Sequence, residues 1–176
     1  MSELRKTHGD GLFFLTLSVV GWLDIFTRPL YTDELVKNIQ FCQANKGLEI
    51  YAYVIMTNHI HLIASRGNGK MSDVLRDFKS YTAKQLLNLV LTNPQESRRD
   101  WIKMVFEYHG RGTKQNELYA FWQKTNHPTE LYSNDVIDQK INYIHQNPVR
   151  AGFVSEPQDW RLSSASPESP IKVLDL

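Results

Sequence analysis

Tyr51-Ala52-Tyr53-Val54-Ile55-Met56-Thr57-Asn58-His59-Ile60-His61-Leu62-Ile63-Ala64 is the stretch that decides how this chain folds. Aromatic and branched apolar residues flank Thr57-Asn58. The segment therefore reads as two strands, Glu49 to Met56 and His59 to Ser65, joined by a two-residue turn into an antiparallel hairpin. Alternate side chains of a strand share a face, so His59 and His61 point one way and Ile60, Leu62 and Ala64 the other. Neutral imidazole is the commonest protein metal ligand, and this spacing pre-aims two of them. A third ligand and a nucleophile from elsewhere would complete a site for metal-assisted phosphoryl transfer.

Outward from the hairpin, Leu12 to Val20 reads as a buried strand and Gly21 to Pro29 as a loop. Thr32-Asp33-Glu34 predicts a helix start with Thr32 as N-cap, an apolar stripe of Leu35, Ile39 and Cys42, and an end at Gly47. After the turn Arg66-Gly67-Asn68-Gly69, Ser72 to Leu91 predicts a long amphipathic helix carrying Val74, Leu75, Phe78, Tyr81, Leu86 and Leu89, broken by Pro94. Ser97-Arg98-Arg99-Asp100 has the spacing of a capping box, and Trp101, Met104, Val105 and Tyr108 follow at helical intervals. Gly110 to Asn116 is polar, Leu118 to Gln123 predicts a strand, and Glu130 to Tyr132 a short one. Asn134-Asp135 opens a last helix that Asn147-Pro148 should stop near Gln146, because the residue before proline avoids the helical region.

With the insertion from Pro94 to Asn116 set aside, the order is βαββαβ. That is the ferredoxin-like α+β arrangement, an antiparallel sheet with helices on one face and the other face open for a ligand or for the last helix. A chain of 176 residues is most simply one domain, with a core from about 11 to 154 and an irregular tail from 155 to 176. The formal net charge is +1, so nucleic-acid binding has to be argued from local groups. Cys42 is the sole cysteine, which excludes a disulfide framework and a multi-cysteine zinc site and fits a reducing compartment. No apolar stretch has spanning length and the first residues lack an apolar signal core, so the expected location is cytoplasmic.

The last helix carries a second stripe beside its Ile137-Ile141-Ile144 core stripe: Val136, Lys140, Tyr143 and Asn147 share one side. Tyr143 then stands at the boundary between buried and open, where a phenol can be held while its oxygen faces outward.

Thr57-Asn58-His59-Ile60-His61, taken with Tyr143-Ile144-His145-Gln146-Asn147-Pro148-Val149-Arg150-Ala151-Gly152-Phe153-Val154, resembles the HUH single-tyrosine transposases. The chain looks closest to the REP-associated branch of these IS200-like proteins, and Trp160 with Ser163-Ser164-Ala165 is similar to the tail of that branch. The resemblance implies a divalent-metal-dependent enzyme, with Mg²⁺ or Mn²⁺, that cuts and rejoins single-stranded DNA at hairpin-flanked sites through a 5′-phosphotyrosine. By similarity, His59 and His61 would be metal ligands, Tyr143 the nucleophile, and Asn147 the polar third ligand where relatives often have Gln. Monomeric and homodimeric relatives both exist. The alternative within the same fold is a domesticated, non-cleaving module that binds DNA hairpins.

Arg66, Lys70, Arg76, Lys79, Lys84, Arg98, Arg99, Lys103, Arg111, Lys114 and Lys140 are the candidate phosphate contacts, and Tyr53, Tyr81, Tyr119 and Trp122 the candidate base-stacking rings. Each residue also has a plainer role. The histidines would be hydrogen-bonded sheet residues, Tyr143 a packing ring, Asn147 a helix cap, the basic insertion a solvated surface, and Trp101 and Trp122 core. His145 is expected at the surface or beside DNA, His127 in a turn, and His8 and His109 in solvent.

Overall fold

Strand β1 (Phe13–Ser18) sends Phe13, Leu15 and Leu17 to one face of the sheet and Phe14, Thr16 and Ser18 to the other. It lies between β3 (His59–Arg66) and the short β4 (Thr129–Glu130), and β2 (Leu48–Ile55) closes the far side. The strand order is β2-β3-β1-β4, and the sheet is antiparallel throughout, as expected from the sequence. The computed structural model describes residues 11–111 and 118–176. His8, Lys114 and most of the polar segment after Gly110 lie outside the described residues.

Helices α1 (Pro29–Lys46) and α2 (Met71–Thr92) cover one face, where Leu35, Ile39, Val74 and Phe78 pack on Leu15, Leu17, Ile60 and Leu62. The opposite face is covered by α4 (Asn134–Arg150), whose Ile137, Ile141 and Ile144 meet Phe14, Ala52, Val54 and Ile63. A bulge at Tyr51 keeps both halves of β2 in phase. Ile50 pairs with Ala64 and Ala52 with Ile63, so Leu48 and Ile50 share the helix-side face with Tyr53 and Ile55. The hairpin turn is Thr57-Asn58, with the Met56 N–H donating to the His59 carbonyl at 2.8 Å.

Several boundaries differ from the sequence-based expectation. Helix α1 begins at Pro29, not after Thr32, because proline fits the first helical position; the Thr32 hydroxyl instead donates back to the Arg28 and Pro29 carbonyls. Helix α3 (Arg99–Arg111) has no Ser97 capping box; Glu96 accepts the Arg98 backbone N–H in that role. Its buried stripe is Ile102 and Phe106, while Trp101, Met104 and Tyr108 are exposed. On α2, Tyr81 is likewise exposed and Thr82 takes the interior position. Leu118 to Gln123 forms no sheet strand; it makes a single bridge, Val19 to Trp122, and buries Phe121 and Trp122 under the helix layer. The fourth strand is Thr129–Glu130.

Pro148 does not stop the last helix. In the final turn a proline forgoes only one hydrogen bond, to the Ile144 carbonyl, and its buried ring offsets that loss. The helix ends instead in a Schellman motif around Gly152 (φ 77°), with Gly152 N–H donating to the Val149 carbonyl and Phe153 N–H to the Pro148 carbonyl. Asn147 is therefore helical and in register with Tyr143 and Lys140.

The tail is irregular but anchored along the outer edge of β2. Ile55 N–H donates to the Leu162 carbonyl, Ser164 N–H to the Tyr53 carbonyl and Leu174 N–H to the Ile50 carbonyl. These bonds satisfy groups that an open edge would leave bare. No helix among the described residues is long and apolar enough to cross a membrane.

Between α2 and α3, the Glu96 carboxylate is fully buried against Arg28 (3.3 Å) and Arg98 (3.0 Å). Desolvation pushes its pKa up, but Arg98 and Arg28 outweigh that and hold the carboxyl below its ordinary range. Glu96→Ala is expected to lower the unfolding free energy by about 2–4 kcal/mol, since it strips a hydrogen-bonded carboxylate from two guanidiniums. Urea unfolding would show a lower midpoint at unchanged slope; an unchanged midpoint would mean the cluster is structurally idle.

Candidate active site

The β1–β3 register sets Thr16 opposite His61 and Ser18 opposite His59. Both imidazoles thus stand on the face covered by α4, and their ring centroids are 4.7 Å apart. Helix α4 brings the Tyr143 ring to 5.3 Å from that of His61. Phe14 completes the cluster, stacked on His61 at 5.3 Å and edge-on to Tyr143 at 5.9 Å.

Each imidazole has one nitrogen already engaged. His61 Nδ1 lies 2.9 Å from Thr16 Oγ1, and His59 Nδ1 lies 2.7 Å from Asn58 Oδ1. The orientation of the Asn58 amide follows from its other contacts. Its Nδ2 donates to the Trp22 carbonyl (3.3 Å) and to Asp24 Oδ1 (3.1 Å), two groups that can only accept. Oδ1 therefore faces His59, His59 carries its proton on Nδ1, and its Nε2 keeps a free lone pair. On His61, too, Nε2 is the nitrogen left available.

Burial favours the neutral rings. His61 is 6% exposed, and desolvation, then the neighbouring His59 and Lys140, bring its pKa down to about 3; the Leu15 backbone opposes this weakly. Desolvation lowers the His59 pKa as well. Neutral, oriented imidazoles with free Nε2 atoms suit a divalent cation, and a hydrogen bond on the other ring nitrogen is the usual support for such a ligand. Among the described residues no cluster of three or more His, Cys, Asp or Glu exists, so the carboxylate that commonly completes such a site is absent here. An amide oxygen on α4 is the chemically compatible supplement. Asn147 is half-buried, one turn beyond Tyr143, and none of the hydrogen bonds among the described residues uses its side chain.

Two cations border the phenol. Lys140 Nζ sits 4.6 Å from the Phe14 ring centre and 5.7 Å from that of Tyr143, and the Arg150 guanidinium is also 5.7 Å from the Tyr143 ring. Tyr143 is half-buried, and its hydroxyl enters no hydrogen bond among the described residues. Arg150, Phe14 and Thr16 were not singled out by sequence reasoning. Only the period-2 alternation of β1 hinted at the last two.

Other candidate contacts are placed elsewhere. Arg66 and Lys70 stand at the opposite end of β3, roughly 20 Å of strand from His59. There Arg66 folds over the turn and donates to the Lys70 carbonyl at 2.8 Å. Lys79 is spent inside the fold: its ammonium donates to the Gln123 carbonyl (2.6 Å) and Asn126 Oδ1 (2.8 Å), and burial lowers its pKa to about 8. Arg99 pairs with Asp100. Arg98 is held by Glu96 but also donates to the Asp24 carbonyl, next to the hairpin turn. His145 faces the tail, 2.9 Å from Ser164 Oγ, not solvent. Tyr53 and Trp122 are buried, with Trp122 Nε1 donating to Thr82, so neither ring is open to a base.

Residues 23–106 match the family model described as Transposase IS200 like, a span that includes both histidines and ends before α4. No curated protein matches the chain. Among solved structures, a REP-associated tyrosine transposase bound to a REP hairpin shares the fold, with 21% identity and a TM-score of 0.65 over 93% of this chain and 82% of that one. A candidate transposase from Deinococcus radiodurans R1 aligns at 15% identity and a TM-score of 0.44, over 83% of this chain and 97% of that one. The IS200-like resemblance drawn from the sequence is upheld over residues 23–106 by the family match, and most of the chain shares the fold of that REP-associated tyrosine transposase.

The depressed His61 pKa has a thermodynamic consequence. Below about pH 6.5 the unfolded chain takes up this proton before the folded one does, so stability is full above that pH and declines as pH falls toward 3. In metal-free buffer, the stability of the wild type relative to His61→Gln should fall with a slope approaching about 1.4 kcal/mol per pH unit. Urea titrations between pH 7 and pH 4 would read this, and parallel curves for the two proteins would contradict it.

Proposed function

Starting from an IS200-like family match and the fold of a REP-associated tyrosine transposase, we propose that this protein is a transposase-type endonuclease. It cleaves and rejoins single-stranded DNA at hairpin-flanked sites through a 5′-phosphotyrosine on Tyr143. The observation that carries the reading is the approach of the Tyr143 ring to His61, across from a second imidazole, with Lys140 and Arg150 alongside.

His59 and His61, through the Nε2 atoms left open by their Nδ1 contacts, and the Asn147 amide oxygen are the groups that would hold a divalent ion, Mg²⁺ or Mn²⁺. When bound, such an ion would supply Lewis acidity to the phosphodiester under attack. Tyr143 Oη attacks the phosphorus in line. The Oη–P bond forms as the P–O3′ bond breaks; the phenolic proton leaves to solvent and the released 3′ oxygen ends as a hydroxyl. The bond energy is conserved in the phosphotyrosine, so a second 3′ hydroxyl can attack it and regenerate Tyr143 without a nucleotide cofactor. Lys140 and Arg150 hold positive charge where the phosphate arrives. Phe14 fixes the ring planes of both His61 and Tyr143.

Incubation with Mg²⁺ and single-stranded DNA from the flanks of the protein's own gene should give an SDS-stable protein–DNA adduct. Tyr143→Phe should abolish it, and an adduct that survives this change would refute the nucleophile. His59→Ala, His61→Ala or EDTA should remove cleavage while hairpin binding is retained. Hairpin binding by the wild type without any adduct would instead identify a non-cleaving module.

The Thr16 contact gives a finer test. Thr16→Val should weaken metal affinity roughly 10- to 100-fold, the usual cost of losing a supporting hydrogen bond to a ligating imidazole. The concentration of Mn²⁺ giving half-maximal cleavage measures this; an unchanged value would show that Thr16 does not orient His61.

A further inference from the structure

Where β1 ends, the chain makes a 3₁₀ turn, Val20–Trp22, in an unusual way. Gly21 has φ 63° and Trp22 φ 53°, two consecutive residues in the left-handed region. Glycine enters that region freely, but for a bulky side chain it is a true outlier. The turn inverts the normal order of burial. Val20 and Leu23 lie in the core, while Trp22 between them is 58% exposed.

Three contacts hold this conformation. The Trp22 N–H donates to the Val19 carbonyl at 3.2 Å. The Trp22 carbonyl accepts from Asn58 Nδ2, the same amide whose oxygen orients His59. Helix α3 closes behind the turn so tightly that a Cβ on Gly21 would come within 2.9 Å of Val105 Cγ1. The exposed indole is thus fixed at a set distance from the histidine pair, edge-on to His59 with ring centroids 6.1 Å apart. Phe41 and Tyr81 are exposed too, but they stand on α1 and α2, in the helix layer across the sheet.

A strained backbone that displays a large flat ring beside a catalytic group is the signature of a positioning device. Resting on the single-stranded DNA nuclease reading above, we propose that Trp22 is a platform on which one unpaired base of the DNA strand stacks, fixing the nucleotide next to the phosphate that Tyr143 attacks. An indole face accepts any base, so Trp22 sets position along the strand and not sequence. Asn58 couples the two halves: one amide locks the platform backbone and the tautomer of His59.

The test uses a fluorescein-labelled hairpin with a 5′ single-stranded extension, taken from DNA flanking the protein's own gene. Binding is measured by anisotropy in EDTA, so that neither metal nor cleavage enters. Trp22→Ala should weaken binding roughly 5- to 100-fold, and Trp22→Phe should restore most of it. Abasic sites are then walked along the extension. At a single position the wild type should lose the same affinity as Trp22→Ala, and there the two proteins should bind alike. Equal binding by wild type and Trp22→Ala, or a loss that no abasic position cancels, overturns the platform while leaving the nuclease reading intact. A wild type that neither binds this DNA nor forms a Tyr143 adduct overturns that reading, and the platform with it.

Discussion

The pairing register of β1 against β3 governs everything at the site. Side chains alternate strictly along a strand, so a slip of one residue would turn His59 and His61 toward α1 and α2 and bring Ile60 and Leu62 out under α4. The register is secured on both faces. Leu15 and Leu17 lie with Ile60 and Leu62 in the larger core, and Phe14 packs on the opposite side against Ile63 and the α4 isoleucines. Because each face has its own apolar partner, no slipped pairing buries both sets. The histidines keep their place because the aliphatic residues between them are fixed.

The insertion supports this arrangement from outside. Buried Glu96 grips Arg98, and Arg98 donates to the Asp24 carbonyl. The Asp24 carboxylate accepts from Thr57 and Asn58 in the hairpin turn, and Asn58 orients His59. A chain of hydrogen bonds, charge-assisted as far as Asn58, therefore links the α2–α3 junction to an imidazole of the site. The formal net charge of the chain is only +1. Arg98 and Lys79 are committed to internal acceptors, whereas Lys140 and Arg150 stand against the Tyr143 ring.

Short-range physics accounts for where the residues alone were informative. The hairpin, the facing of His59 and His61, the end of α1 at Gly47 and the break after α2 near Pro94 all follow from side-chain period and turn chemistry. The misreadings came where a long-range contact outweighs a local preference. Asn147-Pro148 is expected to end α4 near Gln146, but the buried Pro148 ring and the Schellman closure at Gly152 carry the helix four residues further, to Arg150. Trp101, Met104 and Tyr108 share the helical spacing of a core stripe, yet Ile102 and Phe106 take the buried side, since a helix period defines faces but not which of them meets the core. Leu118 to Gln123 looks like a strand because Phe121 and Trp122 are apolar, and they are buried beneath helices without a strand partner of more than one bridge.

The sequence by itself determined the antiparallel α+β sheet, the paired imidazoles and the tyrosine stripe of the last helix, because each rests on a periodicity of the chain: two for strands and 3.6 for helices. Only the tertiary structure decided that Phe14 and Thr16 hold His61, that Lys79 is an internal strut, and that Trp22 and not Tyr53 or Trp122 is the ring displayed at the site. These depend on strand register, on which helix face is buried and on two left-handed residues. Each is set by contacts between segments tens of residues apart, which no local pattern encodes.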